Sequence, residues 1–316
     1  MSKQNVILFG SDYMAEEYLK VLRAFGCQVS VIGRNQEKAV KLAEKYGATG
    51  FGGGVEALKN FSPKAADLVI IASAVESLKE VSCACLEKGY KNILVEKPGA
   101  LNLFEFQEIK KKINADVIFR IAYNRRFYNS VLILKEKISA DGGPVAAFFD
   151  FTDREKDIFS SPKSPQVLKR WGLANSTHVI DTAFYLVGLP VELTVMRDGT
   201  WERHPSGNVF VGCGKTSECL FSYFSTWAGG GRWNIEISTK TGRYKLSPLE
   251  ELQFCKKDQF SWVNIDMPDN DDQRHKPGLY KMVKSILIDK DYSNLPDIDQ
   301  QIDLAKSVNR IFNYED

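Results

Sequence analysis

The sequence predicts an α/β protein: a doubly wound parallel sheet at the N-terminus, then an α+β domain on a large, open antiparallel sheet. Three observations predict it. In the first third, short continuous apolar runs alternate with segments of helical periodicity, as in strands covered on both faces by crossover helices. That alternation stops after about Ala122. From Val191 to Asp266 strand-like segments dominate, and Trp233, Ile235 and Ile237 alternate with Asn234, Glu236 and Ser238, as in a sheet with one covered face. The expected domains are residues 1–122 and 123–316.

Each element follows from its own signals. Val6-Ile7-Leu8-Phe9 is a buried strand, and Met14, Ala15, Tyr18, Leu19, Leu22 and Phe25 repeat at helical spacing up to Gly26. Val29 to Ile32 is a second strand, followed by a charged helix from Asn35 to Tyr46 that Gly47 stops. Gly52-Gly53-Gly54 and Pro63 mark loops. Asp67 to Ala72 is a strand, Val75 to Lys88 a helix closed by Gly89, and Asn92 to Val95 a strand. Leu103 to Ile113 is a helix and Val117 to Ala122 a strand. In the second domain, helices are expected at Asn129 to Ile138, within Asn175 to Leu189, at Leu279 to Ile288 and at Ile298 to Phe312. Val145 to Phe151 is a strand, Ser160 to Pro165 a loop, and Thr241-Gly242 a hairpin turn.

Composition removes several classes of function. The 316 residues are 44% hydrophobic and 26% charged, with a net charge of +2, which gives no electrostatic footprint for nucleic acid or a membrane surface. No apolar run approaches the roughly 20 residues of a membrane span. Met1 to Asn5 is polar, so no signal peptide is expected. Cys27, Cys83, Cys85, Cys213, Cys219 and Cys255 contain no C-x-x-C pair and read as free thiols in a reducing cytoplasm, without a metal site. His204, between Arg203 and Pro205, reads as loop surface, and His275 follows the acidic run Asp269 to Asp272 in a long loop.

The candidate site begins at Glu96-Lys97-Pro98, which closes the strand Asn92–Val95 and leads into Gly99. A lysine there lies at the carboxyl edge of a parallel strand, where open α/β sheets bind ligands. The same tripeptide is also compatible with an ordinary solvated turn. Gly10-Ser11-Asp12-Tyr13-Met14-Ala15, between the first strand and helix, occupies the place of a G-x-G-x-x-G/A dinucleotide fingerprint. Its first glycine is present and Ala15 fills the third position, but Asp12 replaces the second glycine, where a carboxylate repels a pyrophosphate. Either Asp12 points away, or the pyrophosphate sits higher, or the dinucleotide has been lost. After the second strand, Gly33 stands where an acid would bind a ribose 2′-hydroxyl, and Arg34 supplies a cation suited to a 2′-phosphate. NADP is thus preferred, with NAD possible. In Ala72-Ser73-Ala74 the small side chains suit a passing dinucleotide, and the Ser73 hydroxyl is a candidate contact.

Taken together, Val95-Glu96-Lys97-Pro98-Gly99, Tyr123-Asn124-Arg125-Arg126-Phe127, and Thr177-His178-Val179-Ile180-Asp181 give the chain a pattern that resembles the Gfo/Idh/MocA oxidoreductases, the glucose-fructose oxidoreductase and inositol dehydrogenase family. The resemblance covers nearly the whole length. It implies a Rossmann domain plus an open-faced antiparallel sheet, often paired into dimers or tetramers. It also implies hydride transfer between NAD(P) and a carbinol or carbonyl carbon of a sugar, cyclic polyol or nucleotide sugar. Lys97 and His178 become the catalytic pair. His178 takes or gives the hydroxyl proton, while Lys97 hydrogen-bonds that oxygen and the nicotinamide ribose. Gly10, Asp12, Tyr13, Met14, Arg34, Ser73, Glu96 and Lys97 are assigned to the cofactor. Lys97, Tyr123, Asn124, Asn175 and His178 are assigned to the substrate.

His178 is expected at a helix start capped by Asn175 or Ser176, where the helix dipole favours a neutral ring able to accept a proton. Asp181 reads as a first-turn acid complementing that dipole, and arginines at a domain boundary, such as Arg126, read as structural ion-pair partners. Many members of the family carry an acid four residues before the histidine; here that residue is Ala174, so no metal is expected. A sheet face rich in Phe, Tyr and Trp implies self-association, as a homodimer or homotetramer. A cofactor-sensing regulator or binding protein without turnover is the alternative that Asp12 and Ala174 keep open.

Overall fold

Residues 3–202, 204, 206–267 and 271–315 are described in the computed structural model. In chain order the elements are β1 (Asn5–Phe9), α1 (Tyr13–Ala24), β2 (Gln28–Ile32), α2 (Gln36–Lys45), β3 (Thr49–Phe51), β4 (Leu68–Ile71), α3 (Leu78–Lys88), β5 (Asn92–Glu96), α4 (Leu103–Lys110) and β6 (Ile118–Ala122). Then come α5 (Asn129–Ala140), β7 (Ala146–Asp150), α6 (Glu155–Phe159), α7 (Pro165–Lys169) and α8 (Thr177–Val187). Strands β8 (Pro190–Asp198), β9 (Val209–Thr216), β10 (Leu220–Thr226), β11 (Asn234–Ser238), β12 (Gly242–Leu246), β13 (Leu252–Lys256) and β14 (Val263–Asn264) follow. Helices α9 (Asp271–Arg274), α10 (Leu279–Lys284) and α11 (Ile298–Phe312) complete the chain. Two compact units result: Met1–Asn124 with Asp271–Ile302, and Arg125–Asn270 with Asp303–Asp316. The stretch 271–302, expected in the second domain, therefore belongs to the first unit.

In the first unit six parallel strands run in the order β3-β2-β1-β4-β5-β6. The order reverses between β1 and β4, which opens a crevice at the carboxyl ends of those strands. Strand β4 is buried throughout and β1 from its second residue on, because helices cover both faces. The helix ends carry their own signals. Asn35 caps α2 by accepting from the Lys38 amide at 2.9 Å, and Asn102 caps α4 by accepting from the Glu105 amide at 2.8 Å. Gly89, at φ +92°, closes α3. Strand β3 has no apolar run to announce it. It forms because Ser30–Ile32 pair with Thr49–Phe51, and because Gly50 has no Cβ to run into the Val40 backbone of α2. The segment 271–302 packs on the same unit: Tyr280 stacks on Phe25 at 4.7 Å, and the Gln4 side chain donates to the Leu287 carbonyl at 2.7 Å.

In the second unit eight strands run β14-β13-β12-β11-β7-β10-β9-β8. The sheet is mixed rather than wholly antiparallel, because β7 pairs parallel with β10 while its other neighbour, β11, is antiparallel. Its inner face buries Phe149, Phe221, Tyr223, Ile235 and Ile237 against α8, whose Phe184 meets Phe149 and Phe221 edge-on at 5.5 and 5.4 Å. The aromatic residues expected on an exposed face thus lie largely inside. Exposed Val191, Met196 and Leu220 leave smaller apolar groups outside. Of the loop Arg203-His204-Pro205 only His204 is described, and it is fully buried, not on the surface. Trp227, Phe210, Phe312 and Tyr314 surround it, and its ring nitrogens meet the Gly207 carbonyl at 3.0 Å and the Tyr314 hydroxyl at 2.7 Å. Burial lowers its pKa to about 4. Of the acidic run, Asp269 and Asn270 lie outside the described residues. No helix among the described residues is long and apolar enough to cross a membrane.

Candidate functional site

The first part of the site is the turn after β1. Gly10 adopts φ +119°, and a Cβ there would run into the Ala72 carbonyl oxygen at the end of β4. Only glycine lets the β1–α1 turn lie this close to β4. Gly10, Asp12, Arg34 and Ser73 line one cleft of about 390 Å³, together with Gly33, Lys38, Gly53 and Gly54. Gly53 and Gly54 donate their amides to the Arg34 and Gly33 carbonyls at 3.3 and 3.0 Å, which ties the glycine run to the end of β2. Ser73 accepts a hydrogen bond from Ser77 at 2.9 Å. Tyr13 and Met14 open α1, and the exposed Tyr13 ring lies 5.2 Å from the Lys276 ammonium.

Asp12 is the departure from the fingerprint, and its side chain forms an ion pair with Lys38 in the first turn of α2. The carboxylate thus has a cation beside it, and it does not cap α1. The Arg34 side chain, in contrast, has no hydrogen bond or ion pair among the described residues, so its guanidinium is available to an anion. A dinucleotide fits this cradle on three counts: a glycine turn that admits no side chain, the start of a twelve-residue helix, and an uncommitted arginine after β2.

The end of β5 supplies the second part. Glu96 is buried, and Tyr18 of α1 donates its hydroxyl to the carboxylate at 2.7 Å. Burial raises the Glu96 pKa, opposed by the Tyr18 bond and by the charges of Lys97 and Lys276; burial also raises the Tyr18 pKa well above 10.0. Lys97 follows, half-buried, and the Lys97–Pro98 bond is cis. Gln301 donates to the Pro98 carbonyl at 2.9 Å and to the Tyr123 hydroxyl at 3.3 Å. Asn124 donates to the Pro277 carbonyl at 2.9 Å. Tyr123 and Asn124 are thus buried groups bonded within the first unit, where Tyr123 and Gln301 brace the turn that carries Lys97.

The second unit carries a cluster of its own. The helical N–H and C=O groups before α8 continue through a π-helical turn, Gly172–Ser176, with the Thr177 amide bonded to the Gly172 and Asn175 carbonyls. Neither Asn175 nor Ser176 caps the helix, and His178 does not stand at an open helix N-terminus. Both side chains turn to Asp153 instead: Asn175 Nδ2 lies 3.2 Å from each carboxylate oxygen and Ser176 Oγ 3.3 Å from one. Trp171 and Trp233 complete the set with indole N–H donors at 2.8 and 3.1 Å. Burial raises the Asp153 pKa, opposed by these four donors.

His178 is buried, with Nδ1 2.5 Å from a terminal nitrogen of Arg125. The Arg125 guanidinium lies 5.1 Å from the Trp233 ring and 5.8 Å from that of Tyr128. Asp181, expected to complement the helix dipole, serves an ion pair instead. It is buried and takes a bidentate pair of bonds from Arg126, at 2.9 and 2.6 Å. Burial raises its pKa and the Arg126 charge opposes the rise. Beside this cluster Arg125, Asp153, Arg154, Arg232, Trp233 and Glu250 help line a pocket of about 530 Å³. No group of three or more His, Cys, Asp or Glu side chains among the described residues is arranged to hold a metal ion.

Sequence reasoning missed Lys38, Arg125 and Asp153. Lys38 carried a signal, three residues after the helix cap Asn35. Asp153 carried none, yet it puts a carboxylate beside Asn175 although Ala174 lacks one.

Comparison with known proteins agrees with this architecture. Residues 4–118 match the model of the Gfo/Idh/MocA oxidoreductase family, NAD-binding Rossmann fold. Over 142 residues the chain is 30% identical to an uncharacterized oxidoreductase, YdgJ, of Escherichia coli (strain K12); the match takes in 41% of this chain and only 38% of that relative's length. The fold of levoglucosan dehydrogenase in complex with NADH and L-sorbose matches with a TM-score of 0.79 at 18% identity, over 99% of this chain and 96% of that one. UDP-N-acetylglucosamine 3-dehydrogenase GnnA of Acidithiobacillus ferrooxidans matches with a TM-score of 0.75 at 13% identity, over 99% of this chain and 98% of that one. At these identities the two structures speak for the fold alone.

Proposed function

Because residues 4–118 match the Gfo/Idh/MocA oxidoreductase family, NAD-binding Rossmann fold, we propose that the chain is a dehydrogenase or reductase of CH–OH groups. It prefers NADP(H) to NAD(H) and acts on a sugar, cyclic polyol or nucleotide sugar. The observation that carries this reading is Lys97, a cation at the carboxyl end of β5 on the same sheet edge as the Gly10 turn. The substrate class draws support from relatives of the same fold that are named for levoglucosan and for a UDP-sugar.

The Gly10–Asp12 turn, Tyr13, Met14 and Ser73 hold the dinucleotide's diphosphate half, and Arg34 with Lys38 receives a ribose 2′-phosphate. The bound nicotinamide supplies or takes up the hydride. Glu96 fixes the end of β5 through Tyr18 and so orients Lys97. Lys97 and His178 hold the oxygen of the reacting carbon and manage its proton. Asn175 spends its amide nitrogen on Asp153 and offers its side-chain carbonyl to substrate hydroxyls. Tyr123 and Asn124 keep the turn and its neighbours in place. Self-association through the outer sheet face, where Val191, Met196 and Leu220 are exposed, is part of the same proposal.

Titration with NADPH and NADH, followed by nicotinamide fluorescence, tests the cofactor. Failure to bind either sinks the enzyme reading. Lys97→Ala and His178→Ala each lower turnover by about 100-fold or more while cofactor affinity stays within a few-fold. Arg34→Ala weakens NADPH by about tenfold or more and NADH far less; equal losses reject the 2′-phosphate role. NADPH binding without turnover on any sugar or nucleotide sugar favours the sensing alternative.

A further inference from the structure

We propose that Arg125 is a positioning residue that fixes the tautomer of His178, so that this histidine meets the substrate oxygen as a hydrogen-bond donor rather than as a base. The inference deepens the reading above, in which His178 faces the substrate, and rests on it.

The argument starts from the contact at Nδ1. A guanidinium has only N–H donors, offers no acceptor and does not deprotonate in proteins. The Arg125 nitrogen 2.5 Å from Nδ1 therefore uses the lone pair of that ring nitrogen. An imidazolium has no such lone pair, and a neutral imidazole has only one. The proton of His178 is thus on Nε2. Turning the ring over would place Cδ2 against the guanidinium and lose the bond.

The surroundings hold this arrangement. Arg125 lies over the Trp233 face, and the Trp233 indole is itself tied to Asp153 at 3.1 Å. Histidine Nδ1 commonly gives its proton to a carboxylate, which leaves Nε2 free to accept. The buried carboxylates Asp181 and Asp153 are committed to other donors: Asp181 to Arg126, and Asp153 to Trp171, Asn175, Ser176 and Trp233. Arginine takes the carboxylate's place at Nδ1 and reverses the polarity of the outward nitrogen.

The consequence is chemical. An Nε2–H donor binds an oxygen more strongly as that oxygen gains negative charge, which is stabilisation of the oxyanion type. It accepts no proton at Nε2 while Arg125 occupies Nδ1. In the proposed reaction the proton is then exchanged with Lys97, the other group assigned to that oxygen: the neutral amine takes it up when the alcohol is oxidised, and the ammonium returns it when the carbonyl is reduced.

Nitrogen-15 NMR of protein labelled at histidine decides the tautomer without cofactor or substrate. The chain has 3 histidines, and His178→Gln identifies the signal. The expected spectrum at neutral pH shows a pyridine-type Nδ1 and a pyrrole-type Nε2. The opposite pattern, or a doubly protonated ring, overturns the proposal. Arg125→Ala should populate both tautomers, whereas Arg125→Lys, a donor-only cation, should retain the wild-type pattern. An unchanged pattern in Arg125→Ala also overturns it. If Arg125→Ala does not fold, the wild-type spectrum and Arg125→Met carry the test. In steady-state assays Arg125→Ala lowers kcat by about tenfold or more with KM little changed, and Arg125→Lys restores much of it. Full turnover in His178→Gln would refute the catalytic reading of His178 and leave the tautomer result standing, so the two failures are separable.

Discussion

Buried carboxylates are held differently in the two units. In the first, Glu96 relies on the phenol of Tyr18, the backbone amide of Lys97 and the nearby charges of Lys97 and Lys276. In the second, Asp181 has a bidentate guanidinium and Asp153 has four side-chain donors. The difference follows from what each must orient. Glu96 sits at a strand end, where the parallel sheet already fixes the backbone, so one side-chain donor and the next backbone amide complete it. Asp153 follows the end of β7 and lies between a π-helical turn and a tryptophan, and side chains must supply the rigidity that the backbone does not. The second site is correspondingly more redundant around Asp153 and less so around Asp181, which depends on one partner.

The largest test of that contrast is Arg126→Ala. It leaves a fully buried carboxylate without its guanidinium and should destabilise the protein by about 3–5 kcal/mol in urea unfolding. Replacing both partners, Arg126→Met with Asp181→Leu, should recover most of the loss, because an apolar pair leaves no uncompensated charge. If Arg126→Ala costs no more than a surface substitution, the pair does not hold α8.

Next in size is Tyr18→Phe. It removes the 2.7 Å hydroxyl bond to Glu96 and should cost about 1–3 kcal/mol. Asn175→Ala takes one donor from Asp153 but leaves Trp171, Ser176 and Trp233, so its cost should stay below about 1 kcal/mol. Thermal and urea unfolding of the two variants together measure redundancy directly. A larger loss in Asn175→Ala than in Tyr18→Phe would break the comparison.

The same contrast explains what could be read in the sequence. Gly10, Arg34 and Lys97 each sit just beyond a strand end, in a local pattern of strand, turn and helix, so a few neighbouring residues disclose their place. The second unit is assembled across distance. Arg125 meets His178 53 residues away, Arg126 meets Asp181 55 residues away, and Asp153 meets Asn175 22 residues away. No local pattern says which acid will meet which cation, so Asp181 was expected to serve the helix dipole and Asp153 was not singled out. His204 misled for the same reason: its polar flanks suggest surface, while its partner Tyr314 lies 110 residues on. Strand β3 was invisible because three residues with a central glycine have no periodicity to show.

The smallest effect is a change of slope with pH. Burial raises the pKa of both Glu96 and Asp153, so the folded state binds each proton more tightly than the unfolded chain does. Each carboxyl therefore contributes most to stability when protonated, and that contribution is lost as pH climbs from its ordinary value, 4.5 for Glu96 and 3.8 for Asp153, through the raised folded value. Glu96→Gln and Asp153→Asn remove the titration. Relative to wild type, both variants should gain stability as pH rises across that window, in urea melts taken at steps from about pH 4 to about pH 7. Glu96 has fewer hydrogen-bond donors to offset its burial, so Glu96→Gln should show the steeper relative gain. Parallel curves for wild type and Glu96→Gln would mean that Tyr18 and the two lysines together satisfy the Glu96 carboxylate as fully as solvent does. The two units would then differ in the number of their hydrogen bonds but not in what those bonds accomplish.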